Sequence, residues 1–443
     1  MLESATEKRP RRFAVGSRVD GLCTSPFSSP SAVSAAKRIL KTIFSGYSGP
    51  VAVRIWNGET VIGDETSSCA LVFNHPGALK DLVFHLNIPR LAEHYLDGNV
   101  DVKGDMETLF DLVDFLRSIK PSLSTRGRLA WLARRLASCD RNPGGSYPGA
   151  REEERINSPE SIARHYDVSN EFYKLWLDPE MVYSCAYFRD ADQPLAKAQE
   201  DKMDHICRKL RLKPGQTLLD IGCGWGALTR WAARHYGVYA HGITLSEKQY
   251  TYAVQQTAKE GLESRVKTEL KDYRDIEGGA LYDRVVSVGM FEHIGKEAFP
   301  LYFGIIKRVL KPDGLFLNHG ITNDTGWYQG QLGDFITQYV FPDGRLTKIS
   351  IVIDAMEKAG FEILDVESLR RHYTLTLRRW INSLEANREK TVAIAGDPVY
   401  RLWRLYMAGY AYYFKKGDCM VYQTLAGHEG GDVAPLRRED IYS

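Results

Sequence analysis

The chain of 443 residues is 44% hydrophobic and 26% charged, with a formal net charge of +2. These values exclude wholesale disorder and a nucleic-acid binder that works by global charge, and they leave room for two domains. No apolar run approaches the roughly 20 residues that cross a bilayer, and the opening MLESATEKRPRR lacks the apolar centre of a secretion signal, so a cytoplasmic protein is expected. The seven cysteines, scattered from Cys23 to Cys419, show neither a C-x-x-C pair nor histidines at ligand spacing. Disulfides and a metal site are therefore not expected.

Residues 1–34, rich in Ser, Pro and Arg, read as a mobile tail. Residues 35–138 read as a small α+β domain. In it VAVRIWNGETVIGD (51–64) alternates apolar and polar residues around Asn57-Gly58, a pair suited to two positive φ angles in a tight hairpin. LKDLVFHLNIPRLAEHYLDG and METLFDLVDFLRSI follow at helical spacing. TRGRLAWLARRLA (125–137) sets Leu129, Trp131, Leu132 and Leu136 among Arg126, Arg128, Arg134 and Arg135. That mixture suits a helix lying on an anionic membrane, or an ordinary amphipathic helix with solvated arginines. CDRNPGGSYPGAREEE supplies a linker over 139–156.

From 157 to 427, apolar runs of strand type alternate with helical patterns, which predicts a parallel sheet covered on both faces. ARHYDVSNEFYKLWLD (163–178) carries an aromatic helical face and leads into MVYSCAYF (181–188). LLDIGCGWG (218–226) is a buried strand that runs into a glycine turn and a helix, where backbone can approach a ligand closely. The spacing is not G-x-G-x-x-G, Asp220 precedes Gly222 by two, and the next strand ends in GITL without an acid for a ribose. S-adenosylmethionine fits this better than a nicotinamide cofactor. Gly222, Gly224 and Gly226 would face its methionine part, and Thr244, Leu245 and Gln249 the adenosine. Ser246 and Gln249 also read as a helix capping box. Asp272 is either the acceptor for the adenine amine or a turn residue. DCMVYQTLAG (418–427) reads as a last strand and 428–443 as a frayed tail.

YSCAYF, LLDIGCGWG, GITLSEKQ, SVGMFEHIG, YVFPDG and HYTLTL together resemble the cyclopropane-fatty-acyl-phospholipid synthase family, and HYLDGNVDV extends the likeness into the amino-terminal half. The resemblance implies a doubly wound, Rossmann-like methyltransferase sheet with a lipid-binding helical insertion. The implied activity is cyclopropanation of cis double bonds in phospholipid acyl chains, with bicarbonate as the bound base. Cys185, Glu292, His319, Tyr373 and the Val288 carbonyl would hold bicarbonate, and Glu367 would orient them. Tyr183, Ser184 and Tyr273 complete the expected cofactor contacts. His293 is left as structural. Trp327, Tyr328, Phe335, Ile336, Tyr339 and Phe341 would line an acyl tunnel, or simply pack. A homodimer docked on the inner membrane face is implied. The open alternatives are an enzyme that stops at a methyl or methylene branch and a non-catalytic lipid-binding relative.

Overall fold

The computed structural model describes residues 29–85, 87–139, 169–323, 346–431 and 433–442. Structure begins ahead of Ala35. Helix α1 (Pro30–Ile43) starts where Ser29 accepts a hydrogen bond from the Ala32 N–H and Pro30 supplies a pre-set φ. Strands β1 (Val51–Arg54), β2 (Thr60–Ile62), β3 (Cys69–Phe73) and β4 (Val100–Gly104) form a sheet in the order β2-β1-β3-β4. β1 and β2 make the expected hairpin, but its turn differs. Only Gly58 is left-handed (φ +85°), and its N–H donates to the Ile55 carbonyl. Helices α2 (Pro76–His85), α3 (Ile88–Leu96), α4 (Leu109–Ser118) and α5 (Leu123–Ala133) follow this framework. In α5 the apolar stripe of Leu129 and Leu132 is buried, so the ordinary amphipathic reading accounts for that face; Trp131 stays half exposed under Arg135.

The second sheet holds β5 (Thr217–Ile221), β6 (Tyr239–Thr244), β7 (Val266–Leu270), β8 (Tyr282–Val288), β9 (Leu310–Thr322), β10 (Phe361–Ser368) and β11 (Met420–His428). Their order is β10-β11-β9-β8-β5-β6-β7. β5 to β9 pair in parallel, as the alternation predicts, while β11 runs antiparallel between β9 and β10. The final strand is thus interior: Gln423, Thr424, Leu425 and Ala426 are all buried, which a half-covered edge strand would not need. Residues alternate across β5. Leu218 packs toward α7 (Leu195–Lys209, following the short α6, Asn170–Tyr173) and α8 (Ala227–Tyr236). Leu219 packs toward α10 (Phe299–Val309) and α11 (Ile349–Lys358), beyond α9 (Glu247–Lys259) in the chain.

The amino-terminal half shares its core with the end of the chain. One apolar cluster runs from Ile39 and Val53 to Trp380 on α12 (Arg370–Ala386) and, past α13 (Arg388–Ala395), to Trp403 and Phe414 on α14 (Asp397–Lys416). Arginines tie the same surfaces. Arg404 donates to the carbonyls of Val102 (3.0 Å) and Gly104 (2.8 Å) and to Glu385 (2.5 Å), and Arg378 grips Glu107.

The segment expected to fray after 428 is docked instead. In α15 (Glu439–Tyr442) Ile441 is buried, Asp440 pairs with Arg211 at 2.7 Å, and Arg438 pairs with the buried Asp365. The rest of the expected linker beyond Cys139, the start of the 163–178 segment and all six tunnel candidates from Trp327 to Phe341 lie outside the described residues.

A candidate active site at the carboxyl ends of the strands

The turn after β5 and the end of β6 form a cleft, where an open α/β sheet places ligands. Asp220, Gly222, Gly224, Thr244, Leu245, Gln249 and Tyr273 line it, together with Tyr183 and Ser184. Gly222 (φ +82°) and Gly224 (φ +55°) adopt left-handed backbone that would strain an L side chain. Ser246 accepts from the Gln249 N–H, and Thr244 donates to the Gln249 amide oxygen at 2.9 Å. The floor is charged. Lys202 on α7 is buried, its ammonium donating to Ser184 Oγ at 3.0 Å; burial lowers it to about 8 against the pull of Asp178 and Asp220. Burial raises Asp220 to about 7, against Lys202. A pinched glycine turn over oppositely charged groups fits the zwitterionic end of S-adenosylmethionine.

Segment 181–188 hangs between this cleft and a second cavity. Asp178 accepts the N–H groups of Glu180 and Val182, Gln199 donates to the carbonyls of Val182 and Ser184, and the Ala186 N–H donates to Thr376. Side chains take the place of a neighbouring strand and fix the cysteine's position. The second cavity is lined by Cys185, Glu292, His319 and Tyr373, with Tyr183, Ser184, Tyr406 and Tyr410. Cys185 is 1% exposed, and burial holds its thiol far above the ordinary range, so it is no nucleophile. One oxygen of Glu292 accepts the Ile321 N–H at 2.7 Å; the other is buried with no partner among the described residues. Burial raises this carboxyl to about 7. Burial first, then the Lys202 and Lys209 cations, hold His319 neutral, down to about 3. The Gln423 amide donates to Nδ1 of that ring at 3.2 Å, which leaves the hydrogen on Nε2. An orphaned carboxylate oxygen beside a neutral imidazole suits a small oxyacid with one O–H to give.

Four expected site residues stand elsewhere. Gly226 does not line the cleft. It starts α8 at φ +78°, where an added Cβ would come within 2.9 Å of the Ala253 Cβ, so it serves helix packing. Asp272 is turned away and held by the Arg274 guanidinium at 2.9 and 2.6 Å, which favours the turn-residue reading; Lys271 and Tyr273 form the wall there. Val288 lines the cofactor cleft, and Gly289 faces the second cavity. Glu367 lies one layer out, bonded to His205 (2.8 Å) and Lys209 (2.7 Å). Burial would raise it, but these partners outweigh burial and hold it at about 2.

The sequence reading missed Lys202, Tyr406 and Tyr410, and His293, taken there as structural, lines both cavities. A signal was present. Leu195, Gln199, Lys202, Ile206 and Lys209 recur at the four-then-three spacing of a buried helix face, and Trp403, Tyr406, Tyr410 and Phe414 form another such stripe.

A family model described as mycolic acid cyclopropane synthetase matches residues 153–424, and a domain model of unknown function matches 36–115. A probable fatty acid methyltransferase of Pseudomonas putida is 39% identical over 89% of this chain and 96% of its own length. Cyclopropane mycolic acid synthase 3 of Mycobacterium tuberculosis is 38% identical, over 58% of this chain and 93% of its own length. The mycolic acid cyclopropane synthase CmaA1, solved with SAH and CTAB, superposes with a TM-score of 0.59 at 35% identity, covering 62% of this chain and 99% of that one. Cleft, sheet order and likeness agree: the chain belongs to the mycolic acid cyclopropane synthetase family of S-adenosylmethionine-dependent methyltransferases.

Proposed function

We propose that the protein converts the cis double bond of an unsaturated phospholipid acyl chain into a cyclopropane, with bicarbonate held as base in the second cavity. The unpartnered buried oxygen of Glu292 carries this reading. S-adenosylmethionine supplies the electrophilic methyl. When one alkene carbon bonds that methyl, the other carbon becomes cationic. The rings of Tyr183, Tyr373, Tyr406 and Tyr410 border the cavity and offer π faces to a cation without bonding to it. Among the described residues, the inert Cys185 thiol and neutral His319 leave no strong nucleophile there to trap it. Glu292 accepts the O–H of bicarbonate and so raises the basicity of the oxygen that takes the methyl proton as the ring closes.

A methyl-branching activity is the second reading, favoured by the Pseudomonas putida relative named as a probable fatty acid methyltransferase. Mass spectrometry of fatty esters, after incubation with S-adenosylmethionine, bicarbonate and unsaturated phospholipid vesicles, separates the two. A product one CH₂ heavier that resists hydrogenation supports the cyclopropane. The same mass gain with hydrogen uptake means a methyl- or methylene-branched alkene and overturns it.

Docking on the membrane is assigned to α5. Residues 118–139 contain no carboxylate, while Arg126, Arg128, Arg134 and Arg135 are exposed beside Trp131 and the 87%-exposed Leu123. Replacing both Arg134 and Arg135 by Glu is expected to weaken binding to anionic vesicles about tenfold or more, at roughly 1 kcal/mol per basic residue near the surface. Binding unchanged in a vesicle sedimentation assay would refute the assignment.

A further inference from the structure

We infer that Lys202 is the receptor for the carboxylate at the methionine end of the cofactor, with Asp220 taking the ammonium of the same zwitterion. Lys202 is 2% exposed and lines the cofactor cleft. Its ammonium has three donors, and the one hydrogen bond it makes among the described residues goes to a neutral hydroxyl, Ser184 Oγ. No carboxylate among the described residues forms an ion pair with it, although Asp178 and Asp220 are near enough to act on it electrostatically. A buried ammonium without a counter-ion is costly, and such groups persist where a partner arrives from outside.

Asp220 is the mirror case, a 2%-exposed carboxylate in the same cleft, coupled to Lys202 without touching it. Two opposite charges set apart across one ligand site match a ligand that carries both charges on one carbon. The amino-acid end of the cofactor is such a group. Ser184 gains a role as well: it holds the Lys202 ammonium from the segment that also carries Cys185, so cofactor and base sites are registered through adjacent residues.

The inference rests on the family's cofactor and is tested by binding alone. Calorimetry in bicarbonate-free buffer would compare S-adenosylhomocysteine, which has the amino-acid end, with 5′-methylthioadenosine, which lacks it. In Lys202→Met, S-adenosylhomocysteine binding is expected to weaken about 30-fold, the loss of one charge-assisted hydrogen bond, while methylthioadenosine binding stays within about twofold. Lys202→Gln, which keeps a donor without the charge, should lie between. Methylthioadenosine binding also shows that each variant is folded. If both variants weaken the two ligands equally or not at all, the inference is overturned. Failure of the unsubstituted protein to bind either ligand would instead strike at the cofactor reading itself.

Discussion

Glu292→Gln should lower product formation by about a thousandfold or more while S-adenosylhomocysteine binding stays within about twofold. The substitution keeps the shape and one acceptor, so the Ile321 N–H remains satisfied. The oxygen facing the cavity becomes an NH₂ group, which cannot accept the O–H of a bound oxyacid. A second readout distinguishes this from general damage. The carboxyl is raised from 4.5 to about 7 in the folded protein, so folding favours its protonated form. That contribution is complete below the unfolded value and is lost as pH climbs through the folded one, whereas glutamine is neutral throughout. Between pH 5 and pH 8 the variant should therefore gain on the unsubstituted protein by up to about 3 kcal/mol, seen as a widening difference in thermal midpoints. A pH-independent difference would show that Glu292 ionises as it does in water.

The second large effect is on stability. Arg404 satisfies the Val102 and Gly104 carbonyls and the Glu385 carboxylate while only 7% exposed. Arg404→Met should cost about 3–5 kcal/mol in denaturant unfolding, since it strands buried acceptors that cannot recover water. Because Val53 and Trp403 share one core, the loss should shift a single transition rather than split off an early one. Two resolved transitions would mean that the halves fold independently. Tyr406 and Tyr410 stand on the helix that Arg404 anchors, so a surviving fraction of the variant should show a higher KM for lipid with cofactor binding unchanged.

What the sequence made legible follows locality. The strand, glycine turn and helix at 218–226 are dictated by residues next to one another, and the structure has them where expected. Cys185, Glu292, His319 and Tyr373 come from four distant segments, yet each sits in a motif distinctive enough to be matched, and all four line one cavity. Lys202 was illegible for a physical reason: lysine is ordinarily a surface residue, and only its register with Gln199 and Ile206 gives its burial away. Gly226 as a cleft residue, and the acceptor reading of Asp272 as against its turn reading, fell for another reason. A motif fixes where a residue lies along the chain, not which way it turns, and Arg274 and Ala253 had prior claims on them. Strand order was equally hidden, because an alternating pattern records sequence neighbours and does not show that β11 inserts between β10 and the earlier β9.

That strand order bears on how the protein is made. On the ribosome β11 emerges after every other strand of its sheet, so β9 and β10 are both made before the strand that fills the place between them. The Val102 and Gly104 carbonyls also wait, for an arginine made some 300 residues later. The nascent chain thus carries an uncapped amino-terminal core for most of its synthesis and an open strand edge toward its end, the two features that invite aggregation. Slow translation or a shortage of holdase chaperones should therefore reduce the yield of soluble enzyme more than its finished stability would suggest.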